Sequence, residues 1–208
     1  MRAPEAFWDV RRVHLIIVRR HPMRWKVERM TESPQHLPIR TLRWLAGLTG
    51  LVWLSMIAVD FFIHAGLLAP LYADPSPFLL QPESAFALIP LGYASFSLVA
   101  LLLVWLTQSL HVLGTKHGFL LGLKVGALVW GAFVLGLASI STASPILLAG
   151  WFVGQTLEIS IGGAVAAYGL QQGRLKPLAL RVALLFVATI VLTILLQSFG
   201  FAPPGRVL

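Results

Sequence analysis

Three ionisable side chains fall where an apolar chain least tolerates them: Asp60, His64 and Glu158. Asp60 and His64 are four residues apart, the spacing that stacks two side chains on one face of a helix, and Met56 precedes them on the same face. Glu158 stands in a row of small residues, Gly150, Gly154, Gly162 and Ala166, spaced by four or by eight across it. A charged group at membrane depth is costly, so it faces the interior of a helix bundle, takes a partner, and marks a candidate functional position. If Asp60 and Glu158 reach similar depths on neighbouring helices, two carboxylates and an imidazole converge. Histidine titrates near neutrality, which gives such a cluster the chemistry of a proton relay. Gln155 and Thr156 lie close enough in sequence to join it.

The same donors suit a hard or borderline divalent metal, but the pattern assigns none. Only His64 of the six histidines falls inside an expected span, no HExxH pair is present, and His111 and His117 belong to a connection at the other membrane face. No cofactor follows from the residues. Lys124 offers two readings: its long stem can carry the ammonium to the headgroups, or it can reach Glu158 and offset the cost of burying both charges. Asp60 and His64 likewise have a plainer reading, as groups at the hydrated outer end of an over-long apolar run that bond locally and to the following loop.

The elements that must position these groups are apolar helices. The chain has 208 residues, 57% of them hydrophobic and 12% charged, outside the range of soluble domains. About 20 apolar residues cross the roughly 30 Å hydrocarbon layer, and five segments reach that length: Trp44 to Ala69, Ala85 to Leu106, Phe119 to Ile140, Ile146 to Leu170 and Leu178 to Gly200. Continuous Leu/Ala/Gly runs fit helices rather than the alternating strands of a membrane barrel. The expected fold class is therefore an all-α integral membrane bundle of about five transmembrane helices. Residues 44–208 form one transmembrane domain, and residues 1–43 form a basic cytoplasmic segment. Met30 is a second candidate start, because residues 30–43 already make a short lead-in to the first span.

Gly118, Gly122 and Gly126 repeat at four-residue spacing in the third span, the pattern that lets helix backbones approach closely. Together with Gly150, Gly154 and Gly162 in the fourth, they predict contact between these two helices, or a homo-oligomer. Pro70, Pro75, Pro77 and Pro82 make the connection after the first span irregular, with Tyr72 and Phe78 expected at the interface. Pro90 falls near the start of the second span, where it can kink the helix.

Residues 1–43 hold ten of the sixteen basic side chains, and Lys116, Arg174, Lys176 and Arg181 follow in later connections. By the positive-inside rule these lie in the cytoplasm, which leaves the carboxyl terminus outside after five spans. The charge orients spans and attracts anionic headgroups, so no nucleic-acid partner is expected. The lipid bilayer is the expected partner, with a membrane-protein partner or a second copy of the chain beside it. Cysteine and asparagine are absent, and twelve arginines stand against four lysines. This bias fits a bacterial inner membrane. Thiolate metal sites and iron–sulfur clusters are excluded; no phosphate-binding GKS or GKT and no GxSxG elbow occurs. What remains is a small transporter-like or accessory membrane subunit with an internal polar network. The alternative is a membrane-embedded enzyme acting on a lipid or apolar substrate, with Glu158 or Asp60 as base and His64 as acid.

Overall fold

A computed structural model describes residues 41–72, 77–80 and 82–201, without the side chains of Pro82 and Glu83. The basic segment before Thr41, with Met30, and also Pro75, Asp74 and Arg206, lie outside the described residues. Five helices follow one another: α1 (Leu42–Phe62), α2 (Pro82–Ser109), α3 (Thr115–Ile140), α4 (Pro145–Gln172) and α5 (Leu175–Ser198). A π-helical turn (Ile63–Leu67) and a short 3-10 turn (Ala69–Tyr72) continue from α1. All five are long and apolar enough to cross a bilayer, as their sequences predict, and they fit a multi-pass membrane protein.

Local chemistry sets the helix ends. Thr41 Oγ1 accepts the Trp44 N–H at 3.3 Å to open α1. Ser144 Oγ accepts the Leu147 N–H at 3.2 Å to open α4, and Pro145 at the first helical position has no N–H to leave unsatisfied. Gly173 closes α4 with φ 66°, a left-handed conformation that a residue with a Cβ adopts at a cost. Pro90 lies inside α2, where its ring removes the donor that would have met the Phe86 carbonyl.

The helix sequences sort by what surrounds them. α4 is the least hydropathic of the five spans and the most enclosed, with 56% of its apolar 18-residue stretch buried, whereas the same length of α3 is only 11% buried. Lipid tails are as apolar as leucine, so burial against protein follows small and polar residues rather than hydrophobicity. α4 supplies these as Gly154, Thr156, Ser160, Gly162, Gly163, Ala166 and Ala167. α1 packs against α4, α5 and α2, and α3 runs along α4 for much of its length. Leu48, Val52 and Met56 of α1 meet Ala100, Leu103 and Val104 of α2, Ile159, Ala166 and Leu170 of α4, and Leu178 and Val182 of α5 in one apolar core.

The two glycine rows do different things. A Cβ on Gly118, Gly122 or Gly126 would run into α4 backbone at Gly163, Ile159, Ser160 and Thr156, so α3 and α4 touch backbone to backbone. The row beside Glu158 looks elsewhere. Gly154 faces Ile63, Gly162 faces Leu103 and Met56, and Gly150 faces Leu68 and Leu71. α4 therefore meets α3 with one face and brings Glu158 to α1 with another.

Candidate functional site

The site forms where α1 passes into its π-turn and crosses α4. Asp60 and His64 share one face of the first helix, and Trp151, Gln155 and Glu158 share one face of α4 at spacings of four and three. The π-turn begins at Ile63, with the Leu68 N–H bonding back to the Ile63 carbonyl at 2.7 Å. Such turns insert a residue into the helical ladder and are frequent at functional sites. Two contacts with α5 stabilise this one. Gln197 Nε2 donates to the Ala65 carbonyl at 3.2 Å, and Gly66 is buried against Leu196 and Thr193.

After the π-turn the chain folds back, so Tyr72 reaches His64. Its hydroxyl lies 2.5 Å from His64 Nδ1 and accepts the Trp151 indole N–H at 2.7 Å. Phe78 stacks near Trp151 with ring centroids 5.9 Å apart. Both aromatics are partly buried, with partners on the π-turn and α4. Burial pushes the Tyr72 hydroxyl up to about 12, with Asp60 and Glu158 adding to the effect and the Trp151 hydrogen bond opposing it.

The other imidazole nitrogen faces the acids. His64 Nε2 is 3.6 Å from Asp60 Oδ1, 3.5 Å from Glu158 Oε1 and 3.1 Å from Gln155 Nε2. The Gln155 amide also donates to Glu158 Oε1 at 3.1 Å. One ligand-type atom from each of Asp60, His64 and Glu158 lies within 4.8 Å of the others. Glu158 is fully enclosed, at 0% exposure, while the Asp60 and His64 side chains keep 14% and 21%. Glu158 Oε2 is buried without a hydrogen-bond partner among the described residues. Glu158 is halfway along α4, and Asp60 and His64 lie toward the end of the first span that leads into the α1–α2 connection.

Of the residues singled out from sequence, Asp60, His64, Gln155 and Glu158 are thus brought together. Lys124 is not. It is exposed on α3 and forms no ion pair among the described residues. α3 meets the Thr156–Ile159–Gly163 face of α4, which turns Lys124 away from Glu158. Thr156 is buried on that α3-facing side, with its hydroxyl unpartnered among the described residues. His111 and His117 lie in and after the α2–α3 connection, remote from the cluster along the helix axes.

Two site residues escaped the sequence reading. Trp151 was legible, since it extends the Gln155–Glu158 face by one turn. Tyr72 was not, because its approach depends on the π-turn and on the fold-back after it. Compared with known families, curated proteins and solved structures, the chain matches no family model, no curated protein and no solved structure.

Proposed function

We propose that the protein is a small proton-coupled transporter of the bacterial inner membrane, working through Asp60, His64, Gln155 and Glu158. The observation that carries this reading is Glu158: fully buried at the middle of a membrane-spanning helix, 3.5 Å from an imidazole nitrogen, with one carboxylate oxygen unpartnered among the described residues. Structural glycines and core leucines need no such group, and a carboxylate at this depth is expensive to keep. Asp60 and His64 keep part of their surface, so they load a proton from the α1–α2 side and His64 hands it to Glu158. Two carboxylates on α1 and α4 repel each other unless a cation compensates them, so occupancy of the cluster changes how strongly the two helices attract. That is the coupling a carrier requires.

The basic flanks put the amino terminus and the connections α2–α3 and α4–α5 in the cytoplasm, and the cluster then lies toward the outer side. The enzyme alternative has less support. A groove of about 260 Å³ lined by Tyr168, Leu178 and Arg181 is large enough for part of an apolar ligand, but none of the four cluster side chains lines it. The test is proton flux into liposomes holding the full-length protein, followed with an enclosed pH-sensitive dye under an imposed potential. Glu158→Gln, which keeps shape and removes the charge, abolishes the protein-dependent flux. Equal flux from wild type and variant refutes the assignment.

A further inference from the structure

Two separations within the cluster match those between ligands of a metal coordination shell, and all three ligand-type atoms lie within 4.8 Å of one another. Around a tetrahedral first-row ion with bonds of about 2.0–2.1 Å, neighbouring ligand atoms stand roughly 3.4 Å apart. His64 Nε2 is 3.5 Å from Glu158 Oε1 and 3.6 Å from Asp60 Oδ1. These separations are too long for strong hydrogen bonds and close to what one shared ion would impose. We propose that Asp60, His64 and Glu158 bind a divalent first-row transition metal ion. The inference deepens the transport reading by naming an ion that competes with protons for the same oxygens, and it rests on that reading for its place in a transport cycle.

Three further observations agree with a metal. Ligating histidines are fixed through their second nitrogen, and His64 Nδ1 is held by Tyr72, whose hydroxyl is held in turn by the Trp151 indole. When Nδ1 donates to Tyr72, the Nε2 lone pair points at the carboxylate oxygens. Glu158 brings a buried oxygen without a partner among the described residues, so the carboxylate has acceptor capacity that Gln155 does not use. The charges also balance: two carboxylates and a neutral imidazole neutralise a dication, which removes the cost of enclosing unpaired charge. Rotating the Gln155 amide offers its carbonyl oxygen as a fourth ligand.

The donor set selects the ion. One imidazole with two carboxylates suits Zn²⁺, Mn²⁺, Fe²⁺ or Co²⁺, the absence of thiolates disfavours Cu⁺, and the imidazole disfavours Mg²⁺ and Ca²⁺. Tyr72 and Trp151 act as positioning residues, since they touch the metal only through His64.

The test uses the full-length protein in detergent, purified without a histidine tag and stripped with chelator. Co²⁺ titration is followed by visible d–d absorption, and zinc retained after desalting is counted per chain. The expected result is one Co²⁺ per chain with a tetrahedral-type spectrum, displaced by Zn²⁺. His64→Ala and Glu158→Gln lose the band, and His111→Ala with His117→Ala retains it. Tyr72→Phe keeps the band and weakens affinity by about tenfold, as loss of an outer partner does. If the ligand variants fail to fold, Tyr72→Phe decides the question, because all three ligands remain in place and an unchanged Co²⁺ affinity in it overturns the site. No Co²⁺ band, or a band unchanged in every cluster variant, overturns the metal site. Proton flux that still depends on Glu158 in a protein that binds no Co²⁺ sinks this inference alone, whereas Co²⁺ binding without Glu158-dependent flux sinks the transport reading alone.

Discussion

Replacing Gly122 by alanine tests whether α3 and α4 meet backbone to backbone. The new Cβ would stand 2.7 Å from Ser160 Cα, closer still to the Ile159 carbonyl oxygen, and 3.0 Å from the Ile159 carbonyl carbon. Carbon atoms prefer about 3.5–4.0 Å. No flexible side-chain tip is available to move aside, so the helices must part by roughly 1 Å at this level, and a gap of that size forfeits between a quarter and a half of each contact's attraction. The clash costs roughly 2 kcal/mol, in the middle of the overpacking range, or about 30-fold in the folded population. Alanine also gains up to about 1 kcal/mol of helix propensity over glycine. The control must therefore be another glycine of α3: at Gly136 a Cβ meets nothing within 4 Å. Unfolding in mixed micelles by added SDS, read by circular dichroism, should show Gly122→Ala less stable than Gly136→Ala by roughly 2 kcal/mol. Equal stabilities would refute the backbone contact and the separation of α4 into an α3-facing side and an α1-facing side.

Tyr72→Phe should destabilise the protein by about 1–3 kcal/mol, because it strands the partly buried Trp151 N–H and frees His64 Nδ1; the same SDS titration measures it, and an unchanged midpoint would remove Tyr72 from the site. Gln197→Leu should raise hydrogen exchange at the Leu68 amide and cost about 1 kcal/mol, since the Ala65 carbonyl loses its donor; unchanged exchange would show that α5 does not hold the π-turn. The chain has no cysteine, so single cysteines report topology directly. A membrane-impermeant maleimide should label Thr142→Cys in intact cells and Lys116→Cys only after the membrane is opened, and the reverse pattern would invert the proposed orientation.

The bundle was legible because its signal is long and repetitive: five apolar runs of bilayer length. The α3–α4 contact was legible from Gly118, Gly122 and Gly126, since four-residue spacing of small residues has few other uses. Spacing alone could not say which way a side chain points around a helix whose neighbours are unknown. Lys124 and Glu158 have depths that allow pairing, yet they face different sides of α3 and α4. The Asp60–His64 and Gln155–Glu158 spacings each fixed a local face, and only the packing of α1 on α4 joined the two. Tyr72 depended on backbone that leaves the regular helix, for which no residue periodicity exists.

The π-turn makes the whole centre sensitive to chain length at a single place. Deleting Ala65 would leave Asp60, His64 and Glu158 where they are and let the ladder close as ordinary helix. Everything beyond it would swing by about 100° and draw back by about 1.5 Å. Tyr72 would then lose its grip on the imidazole, and Trp151 with it, while the His64, Asp60 and Glu158 side chains stayed in register. The spare residue between Phe62 and Leu68 thus works as a phase dial, setting whether the aromatic clasp engages the histidine without altering the acids themselves.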